Sequence, residues 1–536
     1  MSFLDNSLQE KVKGERASGL FRSTWVVSSV TAVSRVLGLV RVQLMAYLFG
    51  AGLAADAFFV AFRIPNLLRD LFAEGALSTA FVPVFKKTLV KEGTASAQAL
   101  ANRLFTFLVI VLSAVVVIGV LISPLLVHMM AEGFADDPFK FGLTVELTRW
   151  LFPYLFFISL AALLMGILNS YGKFATPASA SSVFNISLIL SMWFLYDLFE
   201  LPVYCLVVGV LAGGVGQFAV QIPSLYRSGH RLRFDFNFKD KGLKAVGKLA
   251  APMTVGMAAS RVNILVSTIL ASLQGPGAVS YLVYAYQLMH FPLGVFAVAI
   301  GTVTLPKAAE HIAKGEMEKL TATLRSSLRM VLFLVVPSAV YLAFFNSDLI
   351  RLIYERGEFT SADSAAVSLA LLWYSVGLIG YAGVRVSMPI FYAFSDAKTP
   401  MRYSIWTVAL NITLSLLLIQ PRLFDMGFAG LAAATSIAGL FNLALLLVGL
   451  RKLHALTNIG SYLEALWKTF FASALMALVL VSVSSKISFG MSGLSGEIMS
   501  TLAEIALGAL TYFVATLILG MAEAKKFIPG LRSGRR

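Results

Sequence analysis

The sequence predicts an all-α polytopic membrane protein: fourteen transmembrane helices, built as two six-helix lobes related by a parallel internal repeat, plus two extra C-terminal helices. Three observations carry this reading. The first is composition. Of 536 residues, 58% are hydrophobic and only 13% are charged, against about 25% charged in soluble domains, and the mean hydropathy is +0.81. Apolar runs of about 20 residues, the length that crosses ~30 Å of hydrocarbon, recur from end to end. A barrel would show short alternating segments instead. The second observation is the alternation of basic loops, and the third is a repeat of the first half of the chain in the second.

Taken in order, the spans fall near 25–49, 57–85, 104–130, 147–169, 177–197, 203–226, 250–273, 279–305, 330–346, 364–394, 403–419, 427–450, 465–485 and 498–520. The first 24 residues are polar and basic, without an apolar core or a small-residue cleavage site, so no cleavable signal peptide is expected. "GAG" at 50–52 and "GPG" at 275–277 read as tight turns between paired helices. Pro65 and Pro292 remove backbone hydrogen bonds in mid-span and mark hinges.

Charge orients these spans. Of 43 basic residues, 31 fall in one alternating set of loops that includes both termini, with seven of them in 227–248. The other set holds only Lys140, Arg149, Arg351, Arg356, Arg422 and Lys486. The positive-inside rule places the first set, and so both termini, in the cytoplasm of a bacterial inner membrane protein. The net charge of +15 is thus an orientation signal and a contact for anionic lipid headgroups. Nucleic acid is not an expected partner.

The repeat is direct. "SRVLGLV" at 34–40 matches "SRVNILV" at 260–266, Pro65 and Pro83 match Pro292 and Pro306, and Asn185 in "FNISL" matches Asn411 in "LNITL". Offsets stay between 223 and 227. Six helices is an even number, so both copies enter from the same side. That is the parallel repeat of many secondary transporters, which work by alternating access. The expected domains are a cytoplasmic segment 1–24, an N-lobe 25–226, a basic inter-lobe loop 227–249, a C-lobe 250–450, helices thirteen and fourteen in 451–520, and a basic tail 521–536.

The remaining six basic residues, Arg35, Arg41, Arg63, Arg69, Arg261 and Arg385, lie within spans. An arginine at mid-bilayer costs roughly 2.5–3.5 kcal/mol on insertion scales, so four in the first two helices would cost on the order of 10 kcal/mol facing lipid. They are expected to face water, a partner or a ligand. All six are arginines, whose planar fork suits bidentate contact with phosphate or carboxylate. Gly38 leaves room beside the first helix. Arg63, Asp70 and Glu74 fall at i, i+7 and i+11 on one stripe of the second helix, so one arginine is satisfied structurally. Asp56 is expected to serve another. At least one or two arginines are left for an anionic ligand, and Arg35, Arg41 and Arg69 are expected to converge on one cavity between the lobes.

Other chemistry is not indicated. Cys205 stands alone, so no internal disulfide forms. The five histidines are scattered, and neither a nucleotide-binding loop of the Walker type nor a nucleophile motif appears. No enzyme activity, cofactor or metal is expected.

The stretches "SRVLGLVR", "GAGLAADAFFVAFRIPNLLRDLFAEGALSTAFVPVF", "GFADDPFKF" and "YSVGLIG" resemble the MurJ (MviN) family, the lipid II flippases of bacterial peptidoglycan synthesis, within the multidrug/oligosaccharidyl-lipid/polysaccharide exporter superfamily. The resemblance covers essentially the whole chain. It implies a non-enzymatic flippase for lipid II, an undecaprenyl pyrophosphate bearing a disaccharide-pentapeptide. It also implies membrane lipids and cell-wall synthesis proteins as partners, a monomer, and a groove for the polyprenyl tail on the last two helices. The family's functional arginines match Arg35, Arg41 and Arg69; Arg63 matches a basic position, and Asp56 and Glu74 match acidic ones.

Three departures stand out. Tyr286 and Gln287 stand where the family has an arginine on the eighth helix, and Arg261 is expected to supply the missing charge. Val42 replaces an acidic residue that often follows the position of Arg41. Ser267 and Ser415, beside Asn411, stand where some members hold sodium through carboxylates, which argues against a sodium site. Two alternative functions share the fold: a flippase for another undecaprenyl-linked oligosaccharide, and an ion-coupled multidrug exporter. A structural scaffold is the plainest alternative. An exporter of cationic drugs would line its cavity with carboxylates and aromatics, whereas this first lobe is cationic.

Overall fold

The computed structural model describes residues 30–70, 78–456, 459–484 and 494–528, and all its regular structure there is helical. The helices are α1 Val30–Phe49, α2 Leu53–Arg69, α3 Ser78–Leu121, α4 Pro138–Ser170, α5 Ala175–Leu195, α6 Tyr204–Ala219 and α7 Lys241–Ser272. They continue with α8 Ala278–Ala313, α9 Met317–Phe344, α10 Ser361–Ala393, α11 Lys398–Leu418, α12 Gly427–Lys452, α13 Ile459–Ser484 and α14 Leu494–Ile518. Among the described residues, twelve helices are long and apolar enough to span a membrane. Helices α2 and α7, at the second and seventh places, bring the long helices to fourteen.

Local chemistry sets the breaks. Gly50, Gly275 and Gly277 take φ of +57°, +91° and +83°, the left-handed conformation that makes the two predicted turns cheap for glycine alone. The segment 86–103, expected as a loop, is helical: α3 runs through it, interrupted only at Gly93 with φ +86°. Its residues Ala95–Arg103 are mostly good helix formers, and a polar sequence excludes a span without excluding a helix. Helix α4 opens on Asp137, whose carboxylate accepts from Phe139 N and Lys140 N, followed by Pro138 at the first position, where its missing N–H costs nothing. Helix α10 opens on a reciprocal cap between Thr360 and Asp363. At Pro292 the α-helix gives way to one π-helical turn, Leu293–Ala297, before α8 continues. Pro65, by contrast, sits buried inside an uninterrupted α2.

The chain divides into two units, Met1–Arg261 and Val262–Arg536. In the first, α4 is the central helix and packs against α2, α3 and α6, while α5 pairs with α6. In the second, α10 is central and packs against α8, α9 and α12, while α11 pairs with α12. Close approach depends on small residues: a Cβ on Gly213 of α6 would lie 2.6 Å from the Phe184 ring, and one on Gly380 of α10 would lie 2.6 Å from the backbone of Gly439. The duplicated asparagines play matched parts. Asn185 of α5 donates to Ser34 O of α1 at 3.0 Å, and Asn411 of α11 donates to Asn263 Oδ1 of α7. Helices α13 and α14 pair with each other, and α13 rests on α9.

Candidate functional site

The end of α2 carries a shared carboxylate. Asp70 Oδ1 accepts from Arg69 Nη2 at 2.9 Å and Nε at 3.3 Å, while its Oδ2 lies 3.0 Å from Arg261 Nη2. All three belong to the first unit, of which Arg261 is the last residue. The side chains are partly accessible, at 27%, 13% and 31% for Arg69, Asp70 and Arg261. One carboxylate between two guanidiniums holds them close despite their repulsion and leaves the trio with a surplus positive charge. Arg261 Nε is buried with no hydrogen-bond partner among the described residues. The cluster therefore holds a donor on Arg261 that no described residue uses. Arg69 also lies in the last turn of α2, where cations complement the helix dipole.

The described partners of Asp70 lie off the expected stripe. Asp70 serves Arg69 and Arg261, where the sequence stripe paired it with Arg63. Asp70 itself keeps helical backbone angles, φ −60° and ψ −36°, and periodicity along one helix carries no signal of a partner as distant in sequence as Arg261. Arg63 itself is partly buried. Glu74, the third member of that stripe, lies outside the described residues.

Asp56, expected to serve an arginine, is fully buried, and its Oδ2 lies 2.7 Å from Lys140 Nζ, itself nearly buried. The Lys140 ammonium also sits 3.9 Å from the centre of the Phe134 ring, a cation–π contact. The Asp137–Pro138 cap, which places Lys140 on the first turn of α4, was the available signal for this partner.

On α1, Arg35 is exposed. Arg41 is partly buried, with its guanidinium 5.6 Å from the centre of the Phe184 ring on α5. The space beside Gly38 is taken by Asn185, whose amide would sit 3.6–4.0 Å from an added Cβ. In the second unit, Gln287 is exposed on α8. Its neighbour Tyr286 packs on His290 with ring centres 4.0 Å apart and planes tilted by 42°, and meets Tyr374 edge-on. Asn411 and Ser415 are buried and Ser267 is partly buried. The structure thus joins Arg69 to Arg261 through Asp70 and sets Asp56 apart with Lys140. Sequence reasoning missed Asp70 as the shared counter-ion, Lys140, and the aromatic support of Arg41.

Comparison with known proteins agrees along nearly the whole chain. The family described as "Lipid II flippase MurJ" matches residues 45–503. A probable lipid II flippase MurJ of Vibrio cholerae serotype O1 is 35% identical over 512 residues, covering 94% of this chain and 96% of the relative. A lipid II flippase MurJ of Burkholderia cenocepacia is 35% identical over 517 residues, covering 94% and 98%. Among solved structures, a lipid II flippase MurJ in an inward closed conformation superimposes with a TM-score of 0.77 at 27% identity, over 92% of this chain and 98% of that one. A multidrug transporter of the MATE family, inward-facing, shares the fold with a TM-score of 0.65 at 13% identity, over 80% and 98%.

Proposed function

Because the chain belongs to the lipid II flippase MurJ family, we propose that it carries lipid II from the cytoplasmic to the periplasmic leaflet of a bacterial inner membrane by alternating access. Both termini lie in the cytoplasm in this reading, as the basic loops require. The observation that carries it is the concentration of intramembrane arginines in one unit: Arg35, Arg41, Arg63 and Arg69, with Arg261 at that unit's end. A pyrophosphate is the anion that four or five guanidiniums suit, by charge and by bidentate geometry.

The mechanism follows from Asp70. With no cargo, its carboxylate holds Arg69 and Arg261. An arriving pyrophosphate carries more charge and more acceptors than one carboxylate, so it displaces Asp70 from one or both guanidiniums and binds in its place. The cationic side chains are then neutralised. Unneutralised, they feel the membrane potential at about 2.3 kcal/mol per charge per 100 mV traversed, and an inside-negative potential draws them toward the cytoplasm. The empty carrier therefore resets inward, and the loaded one is free to swing outward. The six-helix lobes 25–226 and 250–450 supply the rocking bodies, Pro292 with the π-helical turn after it a place where a helix bends, and helices α13 and α14 a groove for the polyprenyl tail.

The exporter alternative rests on the fold alone, and cationic side chains suit it poorly. The test is complementation of a bacterium depleted of its own MurJ, with lipid II headgroup accessibility to an external probe as the readout. Growth and headgroup exposure restored by this chain are expected. Exposure that persists on collapsing the membrane potential, or is lost on replacing sodium with choline at constant potential, would overturn the potential-driven reset. Failure to restore exposure by well-expressed protein would overturn the function.

A further inference from the structure

The stretch 227–249, which links α6 to α7 and includes the first turns of α7, carries "RLRFDFNFKDK" at 231–241. It is stapled along α3. Gln98 Nε2 donates to Arg231 O at 3.3 Å, and Asn102 Oδ1 accepts from Arg233 N at 3.3 Å. Thr106 Oγ1 accepts from Asp235 N at 2.8 Å. Arg103 closes the strap, with Nε 3.0 Å from Asp235 Oδ2 and Nη1 2.7 Å from Asp240 Oδ2. These four α3 residues are spaced i, i+4, i+5 and i+8, on one side of the helix.

What the strap leaves outside is a row of rings. Phe234, Phe236 and Phe238 are exposed, at 64%, 67% and 38%. They are in ring contact with one another. The row is seated on α3, Phe234 against Phe105 and Phe238 against Phe107. Phe105 and Phe107 open the apolar stretch of α3, so the row lies at the level where that helix enters hydrocarbon. Rings at that depth form the aromatic belt of membrane proteins. Around them, Arg227, Arg231, Arg233, Lys239, Lys241, Lys244 and Lys248 are all exposed. The two acids of this stretch, Asp235 and Asp240, are both held by Arg103 and do not neutralise them. A patch with exposed rings in the middle and an uncompensated basic rim is complementary to a surface that is apolar below and anionic above.

We infer that the strap 231–241 is a binding site for anionic phospholipid headgroups, with Phe234, Phe236 and Phe238 inserted into the bilayer interface and the surrounding Arg and Lys side chains on the lipid phosphates. Arg103 is its positioning residue, because it holds the acids inward and turns the rings outward. The inference needs only that α3 spans the membrane and does not depend on which lipid the protein carries.

Two adjacent exposed positions separate the membrane from water. In a Cys205→Ala background, Phe236→Cys and Asn237→Cys are each labelled with a nitrobenzoxadiazole probe, and the full chain is reconstituted into phosphatidylethanolamine vesicles with or without phosphatidylglycerol. The probe at 236 should emit to the blue of that at 237, resist iodide, and be quenched more by a nitroxide placed high on the acyl chain than by one placed deep. Phosphatidylglycerol should strengthen all three effects. Arg233→Gln should raise the phosphatidylglycerol fraction needed for half the shift, by up to about fivefold. Equal iodide access at 236 and 237 would overturn the insertion. Lipid quenching that ignores phosphatidylglycerol would overturn headgroup binding. Shielding of 236 in native membranes but not in lipid vesicles would show a protein partner instead, and would also overturn it.

Discussion

In the first unit, the central helix α4 is tied to α2 by the buried ion pair between Lys140 and Asp56. In the second, its counterpart α10 is tied to α8 by a hydrogen bond from the Tyr281 hydroxyl to Asp363, at 3.1 Å. The positions correspond: the caps Asp137 and Thr360 are 223 apart, as are Lys140 and Asp363. The same contrast holds elsewhere. At the offsets of 226 and 227 that align the repeat, Arg41 falls on Ser267, Arg63 on His290 and Arg69 on Phe296. The packing plan survived duplication, with Asn185 and Asn411 still reaching the first helix of each unit. Of the four arginines in the first two spans, only Arg35 keeps its charge in the second copy, as Arg261. Backbone packing constrains both copies equally, whereas anion chemistry needs to be supplied once, and here the first unit supplies it.

The largest expected effect breaks that contrast at its most buried point. Lys140→Met takes from the fully buried Asp56 the ammonium that faces it at 2.7 Å, and breaking a buried ion pair from one side costs about 3–5 kcal/mol. Adding Asp56→Leu should recover most of the loss, since a well-packed apolar pair replaces an ion pair at little cost. In the second unit, Tyr281→Phe removes one hydrogen bond and should cost only about 1 kcal/mol. Thermal unfolding of the detergent-solubilised protein measures all three. Equal losses for Lys140→Met and Tyr281→Phe would mean that the two units are held alike, contrary to the geometry.

Next in size is the asymmetry of the arginines. Arg261→Ala and Arg69→Ala each remove charge-assisted bonds to the cargo, and each should slow headgroup exposure by about 10–100-fold, from the 1.5–3 kcal/mol of such a bond. Gln287→Arg, which puts a cation into the second unit, should restore part of the Arg261→Ala loss. Normal growth of an Arg261→Ala strain dependent on this protein would reject the role of Arg261. Asp70→Asn sharpens the same point. Without its counter-ion, the pair Arg69 and Arg261 should hold cargo more tightly and release it more slowly, so exposure falls while lipid II binding rises.

Much of this was legible in the sequence, and the residues that were not share a cause. Span count and repeat follow from hydropathy and matched words of sequence, because one lipid slab imposes one length on every helix. The pairings do not follow from periodicity. A stripe along one helix sets Asp70 beside Arg63 and gives no sign of Arg261, which is 191 residues away. Lys140 was assigned to a loop, and a lysine counted for orientation was not weighed as the partner of Asp56. Helical 86–103 and the strap on it were hidden for a similar reason. Polar sequence outside the bilayer carries little periodic signal, and Arg103, Asp235 and Asp240 meet only in three dimensions.

The smallest expected effect contrasts two histidines that follow the last helix of each copy of the repeat, His230 and His454. They are 224 apart, and Arg227 and Arg451 precede them at the same offset. His454 is exposed. His230 is 1% exposed beside Phe85, and among the described residues neither of its ring nitrogens has a hydrogen-bond partner. Burial lowers its pKa from 6.5 to about 4, because the charged imidazolium finds no compensation there. The folded protein therefore holds His230 neutral, while the unfolded chain takes up a proton below pH 6.5. Stability from this residue is fully present above pH 6.5 and is lost as the pH falls toward about 4, by about 1–2 kcal/mol between pH 7 and pH 5. His230→Phe should flatten that part of the stability profile, read as the unfolding midpoint in detergent at stepped pH. An unchanged slope in His230→Phe would mean that protonation at 230 is accommodated without cost.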